Sequence, residues 1–208
     1  MDTEEFIFTI FFLTLGPIKI IPAFAKLTQA MELKFKRELA IKGIAIATAI
    51  CLYVFLLGRN LVEKYHLSLE AIEISGGLVL LISALNTLFP TAQPTKAPES
   101  QPSALKLAIT PVATPMIVPP VGVAAILIFV VLAPRYPGMD IVIAYALALM
   151  LVLDFLVMFF IDKIMKIPGL LLLLNVFGNV LVFSQVALAI QVILVAFKSL
   201  GVIKGANP

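Results

Sequence analysis

Charge is scarce in this chain of 208 residues: 13% of positions are charged and 62% are apolar. An ordinary soluble domain has about a quarter of its residues charged. Together with a mean hydropathy of +1.12, the shortage excludes a secreted domain and a cytosolic enzyme. Cysteine is nearly absent. Cys51 stands alone, so no intrachain disulfide forms, and its apolar surroundings read as those of a packed core thiol. His66 is the single histidine and falls in a loop, which excludes a histidine-based metal site and a histidine-containing triad. There is no Walker loop for ATP and no TVGYG potassium filter. Tryptophan is missing too, so interfacial anchoring falls to residues such as Tyr65 and Tyr136. The N-terminus carries Asp2, Glu4 and Glu5 where a signal peptide has positive charge, so the first apolar run is expected to be a retained span. The net charge of +3 reflects loop lysines and gives no argument for nucleic acid.

What the chain does have is long apolar runs. Six emerge, at 6–25, 39–57, 69–89, 105–133, 141–161 and 176–200. Each is long enough to cross about 30 Å of hydrocarbon as a helix of about 20 residues, and none shows the alternation of a membrane barrel. A polar, proline-rich linker at 90–104 (PTAQPTKAPESQPS and the residue after it) divides one membrane domain into halves at 1–89 and 105–208, with three helices each. The stretch 167–200 would measure about 50 Å as one helix, which predicts a break near Gly178 with the first part interfacial or re-entrant. Lys26, Lys34, Lys36, Arg37, Lys42, Lys96, Lys106, Lys163 and Lys166 fall in one set of loops, and Arg59, Lys64, Arg135, Lys198 and Lys204 in the other. Nine against five makes the first set cytoplasmic and both termini extracytoplasmic.

The first and fourth spans carry the strongest functional signal. The first contains Gly16, Pro17, Lys19 and Pro22; the fourth contains Pro111, Thr114, Pro115, Pro119, Pro120 and Gly122. Each proline deletes a donor and crowds the carbonyl four residues back. In hydrocarbon the released carbonyls need protein or water partners, so this backbone is expected to line a cavity. Pro17–Pro22 and Pro115–Pro120 repeat one spacing in the opening helix of each half, and paired interrupted spans point to a transporter site. Three crossings per half reverse the chain, which predicts inverted repeats. A packing role for the same prolines, as simple kinks, is the competing reading.

Polar groups inside the remaining spans add candidates. Asn86 and Gln191 each follow an alanine by two positions in an apolar helix, and either could grip a ligand or glue helices together. Gly76 and Gly77 read as a close-packing surface. Ionisable residues within spans default to functional roles; Lys19 and Asp154 form a natural pair, although Lys19 could instead snorkel toward the cytoplasmic face. Glu73, near the start of the third span, reads as an interfacial charge.

In these motifs the chain resembles the MarC family of six-span membrane proteins, also called the small neutral amino acid transporter family. Its first-span D-P-F-G-N-I-P corresponds to Gly16-Pro17-Ile18-Lys19-Ile20-Ile21-Pro22, and its P-L-A-I-P-L-L-A-G-P-G-like fourth span to PVATPMIVPPVG from Pro111 to Gly122. Its G-G-x-L-L-x3-A pattern corresponds to Gly76, Gly77 and the run to Ala84, and its A-x-Q to Ala189, Ile190 and Gln191. Here Gly16 and Ile20 replace the motif's Asp and Asn, Lys19 replaces its Gly, and Pro119-Pro120-Val121 replaces G-P-G. The resemblance implies transport of small neutral amino acids of the glycine and alanine class; the replaced groups leave room for another cargo.

The expectation is therefore an all-α polytopic cell-membrane protein: six transmembrane helices in two inverted three-helix repeats, with helices 1 and 4 broken. Its expected function is alternating-access transport at a mid-membrane site. That site draws on Gly16, Pro17, Pro22, Asn86, Thr114, Pro115, Pro119, Pro120, Gly122 and Gln191, with Lys19 and Asp154 as intramembrane charges. No catalytic role, metal or cofactor is expected. Expected partners are a small-molecule substrate, the bilayer and, as an option, further copies of the chain. An exporter of another small solute, or a non-transporting membrane protein acting through partners, is the alternative.

Overall fold

The computed structural model describes residues 3–89 and 103–203. Most of the linker at 90–104 lies outside them. Its last two residues open the second half, where Ser103 accepts a hydrogen bond from the Lys106 backbone N–H and starts a short helix. Among the described residues the architecture is all-α: α1 (Thr3–Leu15), α2 (Pro17–Thr28), α3 (Leu33–Lys64), α4 (Leu69–Leu88), α5 (Ala104–Leu107), α6 (Pro120–Leu132), α7 (Met139–Phe159), α8 (Ile161–Ile164) and α9 (Leu170–Ser199). An irregular segment, Ala108–Ile117, joins α5 to α6.

Among the described residues five stretches have the length and apolarity of membrane spans: Glu4–Thr28, Leu33–Lys64, Leu69–Leu88, Met139–Phe159 and Leu172–Ser199. A sixth is the bent pair Ala104–Ile117 and Pro120–Arg135, which meet at 59°. The second span is longer than the 39–57 expected from its apolar run. Its 32 residues measure about 48 Å at 1.5 Å per residue, so its polar ends project past the hydrocarbon.

The last span corrects an expectation. No break occurs near Gly178, and 170–177 is neither a separate interfacial helix nor a re-entrant loop; α9 runs continuously from Leu170 to Ser199. A lone glycine weakens a helix by about 1 kcal/mol relative to alanine but leaves its hydrogen-bond ladder whole. The turn lies upstream, at Pro168 and Gly169, where Gly169 adopts φ 76° as the residue preceding the helix. Leu172, Val176, Val180 and Phe183 are exposed on α9, as suits a surface turned to lipid.

Glycines set the closest helix contacts. A Cβ on Gly43 would lie 2.5 Å from Val112, and one on Gly58 would lie 2.7 Å from Leu127, so the fourth span runs beside α3 in the same direction. A Cβ on Gly77 would stand 3.0 Å from the Ala189 carbonyl oxygen of α9, and one on Gly76 would stand 2.9 Å from Ile128 of α6. The two thus let α4 pack closely on two neighbours, as their reading in the sequence proposed. At one end of the bundle Lys36 pairs with Asp162 at 2.7 Å, and the Arg37 guanidinium lies 4.8 Å from the centre of the Phe159 ring. The α2–α3 and α7–α9 connections therefore share a face, in line with the grouping of their lysines.

Gly16 and Gly178 differ in what surrounds them. A Cβ at Gly16 would fall 2.1 Å from the Phe12 carbonyl oxygen, whereas one at Gly178 meets nothing within 4 Å. Gly16→Ala is expected to destabilise by about 1–3 kcal/mol, and Gly178→Ala to be neutral or to stabilise by up to about 1 kcal/mol. Thermal unfolding in detergent checks the order; a Gly16→Ala variant as stable as the parent contradicts it.

Candidate functional site

Each interrupted span breaks near its middle, and the two breaks touch. In the first, α1 ends at Leu15, and Gly16 holds an extended conformation (φ −71°, ψ 160°) before α2 starts at Pro17. The Gly16 N–H still donates to the Phe12 carbonyl at 3.0 Å. Pro17 has no N–H to continue the ladder, and Pro22 removes another donor one turn further on. In the fourth span, Thr110 and Thr114 take extended backbone angles directly before Pro111 and Pro115, as residues preceding proline prefer. Val118 N–H then reaches back to Ala113, and Pro119 accepts from the N–H groups of Gly122 and Val123. Gly122 faces Leu15, so that a Cβ there would lie 2.3 Å from a Leu15 methyl. The end of α1 and the start of α6 therefore meet through the one residue without a side chain.

Cavities lie to either side of this contact. One, of about 330 Å³, is bounded by α1, α4, α6 and α9 and extends from Val121, beside the fourth-span break, to Glu73 and Leu132. Among the described residues its lining is apolar except for Glu73 and Gln191. The other, of about 350 Å³, lies toward the lysine-rich face, where Pro22, Ala25 and Lys26 of α2 face Lys36 and Asp162. Leu15, Ile20 and Ile21, all buried, belong to the segment between the two.

The polar side chains of this segment do not pair as expected. The Lys19 ammonium donates to Oε1 of Gln185 on α9, not to Asp154. Asp154, with no exposed surface, lies on α7 near Cys51 of α3, and neither carboxylate oxygen has a hydrogen-bond partner among the described residues. The Lys19–Asp154 pair is thus corrected: α2 turns Lys19 toward α9, while Asp154 points into the α3–α7 contact. Cys51 is free and buried, as its apolar run indicated.

Of the sites read from the sequence, Gly16 and Gly122 are buried at the joined breaks, with Pro17 and Pro119 half-buried beside them. Pro22 lines the cavity near Lys36, and Gln191 lines the one near Glu73. Thr114, Pro115 and Pro120 are exposed; Asn86 is exposed near the end of α4, away from both cavities. One residue went unread, and another sits differently from its reading. Gln185 is 1% exposed and holds Lys19, yet it falls outside the alanine-x-amide pattern that singled out Gln191. Glu73, taken for an interfacial charge, is 8% exposed and lines a cavity. Extending the rule for ionisable groups inside spans to amides would have found Gln185.

Lys19 and Gln185 should therefore be energetically coupled. In a double-mutant cycle Lys19→Met and Gln185→Leu are expected to show an interaction of about 1 kcal/mol. Lys19→Met and Asp154→Leu are expected to add within about 0.5 kcal/mol. Denaturant unfolding of the purified protein gives both values, and the reverse pattern would restore the Lys19–Asp154 pair.

Comparison with known proteins agrees with the resemblance read from the motifs. Residues 5–200 match the MarC family, described as integral membrane proteins. The UPF0056 membrane protein MJ1677 of Methanocaldococcus jannaschii is 34% identical over 88 residues, 41% of this chain and 43% of that protein. The UPF0056 inner membrane protein YhgN of Escherichia coli is 28% identical over 80 residues, 38% of this chain and 41% of its own length. A UPF0056 membrane protein of Buchnera aphidicola is 27% identical over 79 residues, 38% of this chain and 40% of its own. The aligned stretches thus span about two fifths of these relatives. No solved structure matches the chain. With the family matched across nearly its whole length, the chain belongs to the MarC family of integral membrane proteins.

Proposed function

We propose that this protein is a carrier of small solutes that works by alternating access, its two joined breaks separating two half-paths. The observation that carries the reading is the pair of cavities on opposite sides of the Leu15–Gly122 contact. Two cavities divided by non-helical backbone suit a carrier better than two merely kinked helices, because kinks need no space around them. The first and fourth spans would be equivalent members of two inverted repeats, and rocking of one against the other would part Leu15 from Gly122.

Small neutral amino acids of the glycine and alanine class are the proposed cargo, as the family resemblance suggests. Both α2 and α6 begin at the breaks, where the positive ends of their dipoles favour a carboxylate. Lys19 stands in the first turn of α2 with its ammonium held by Gln185, adding positive charge where the family motif has glycine. The carbonyls at the end of α1, which lose a backbone donor to Pro17, suit the ammonium of the same solute.

Purified protein in liposomes should accumulate radiolabelled alanine or glycine. Pro17→Ala and Pro120→Ala, which restore a donor at the first residue of α2 and of α6, are expected to lower uptake per folded molecule about tenfold, the equivalent of 1.4 kcal/mol, with thermal stability retained. Misfolding with unchanged uptake per folded molecule would mark the prolines as kinks. No uptake by the parent protein would overturn the amino-acid cargo.

A further inference from the structure

Glu73 has no counterpart in the carrier reading. It lies in the first half of α4, buried, with Oε2 lacking a hydrogen-bond partner among the described residues. A carboxylate in that position is costly unless a cation or donor meets it. Glu70, one turn before it, and Arg135, exposed on the turn after α6, are charges that act on it; neither forms an ion pair with it among the described residues. The carboxylate instead borders the cavity of about 330 Å³, within the range of small-molecule sites.

The shape of that cavity limits what can meet Glu73. At the opposite end Leu80 packs with Val121 and Ala189 in an apolar cluster. Glu73 and Leu80 are seven residues apart on one helix, about 10 Å at 1.5 Å per residue. The walls between them come from Gly76 and Gly77 of α4, Ala124 and Ile128 of α6, and Leu188 of α9. Among the described residues Gln191 is the one further polar side chain in the lining, which holds no lysine or arginine. A small amino acid crossing this half-path is not retained here, since no cation beside Glu73 holds its carboxylate. A lipid headgroup with a phosphate meets the same repulsion, which Glu70 reinforces.

We propose that this cavity binds an elongated, single-tailed apolar amine, its ammonium on Glu73 and its tail running along the apolar walls to Val121. Gln191 offers the ammonium a second acceptor. The site goes beyond the carrier reading of the breaks, and its test reads occupancy rather than flux, so its failure leaves that reading untouched.

Photolabelling of the protein in native membranes decides it, with three diazirine probes: a straight-chain aliphatic primary amine, the alcohol of equal length, and a phosphatidylethanolamine with the group in its acyl chain. The amine is expected to label cavity residues of α4, α6 and α9 about tenfold more than the alcohol, as suits a charged hydrogen bond in place of a neutral one. Glu73→Gln should erase that ratio and Glu70→Gln preserve it. Equal labelling by amine and alcohol, or labels confined to other surfaces, would overturn the site. Enrichment of the phospholipid that depends on Glu73 would replace the free amine with a lipid. If Glu73→Gln does not fold, the amine-to-alcohol ratio on the parent protein decides alone.

Discussion

A bilayer core offers no water to backbone groups that lose their partners, and the placement of the two interrupted spans follows from that constraint. Pro17, Pro22, Pro111, Pro115, Pro119 and Pro120 together remove six backbone donors. Such backbone persists only where protein surrounds it or a cavity reaches it. The fold brings the breaks together, with Gly122 against Leu15, and re-forms local bonds such as Gly16 to Phe12 and Val118 to Ala113. The unbroken helices serve this arrangement: α3 lies along the fourth span through Gly43 and Gly58, and α4 is held close to α6 and α9 through Gly76 and Gly77. Glycine therefore acts here mainly by omitting a side chain where helices cross, rather than by loosening the backbone.

The same constraint governs the polar side chains. Gln185 supplies Lys19 with an acceptor without adding a second charge to the interior. Asp154 lies near the Cys51 thiol of α3 and has no hydrogen-bond partner among the described residues, and Glu73 faces a cavity. Three ionisable groups thus occupy three different settings within one small bundle. An ion pair between Lys19 and Asp154 would have been the simplest arrangement, but the α2 helix carries its lysine to a different neighbour.

Much of the fold was legible because hydrophobic runs of about 20 residues have few alternatives to membrane helices. The first and fourth spans announced their breaks through proline, whose effect on the ladder is local and certain. The last span did not behave as read, because a long apolar run with one glycine gives no local reason to break; the turn belonged to Pro168 and Gly169 instead. Long-range pairing was harder to read. Nothing in the vicinity of Lys19 indicates which helix it will meet, since partner choice depends on how six helices rotate about their axes. Gln185 and Glu73 escaped for a related reason: burial and cavity lining are properties of the packed bundle, not of a span's own composition. The breaks themselves were legible in the prolines, although α2 starts at the first proline of its Pro-x4-Pro pair, Pro17, and α6 at the last of its own, Pro120.

In the proposed carrier the joined breaks divide a path through the protein into two halves open to opposite sides. Single cysteines at Ala124, in the cavity near Glu73, and at Ala25, in the cavity near Lys36, probe this division in a Cys51→Ser background. With a membrane-impermeant thiol reagent applied to right-side-out and inside-out vesicles, Ala124→Cys and Ala25→Cys should each react from one side only, and from opposite sides. Reaction of both from the same side, or of neither from either side, would contradict it.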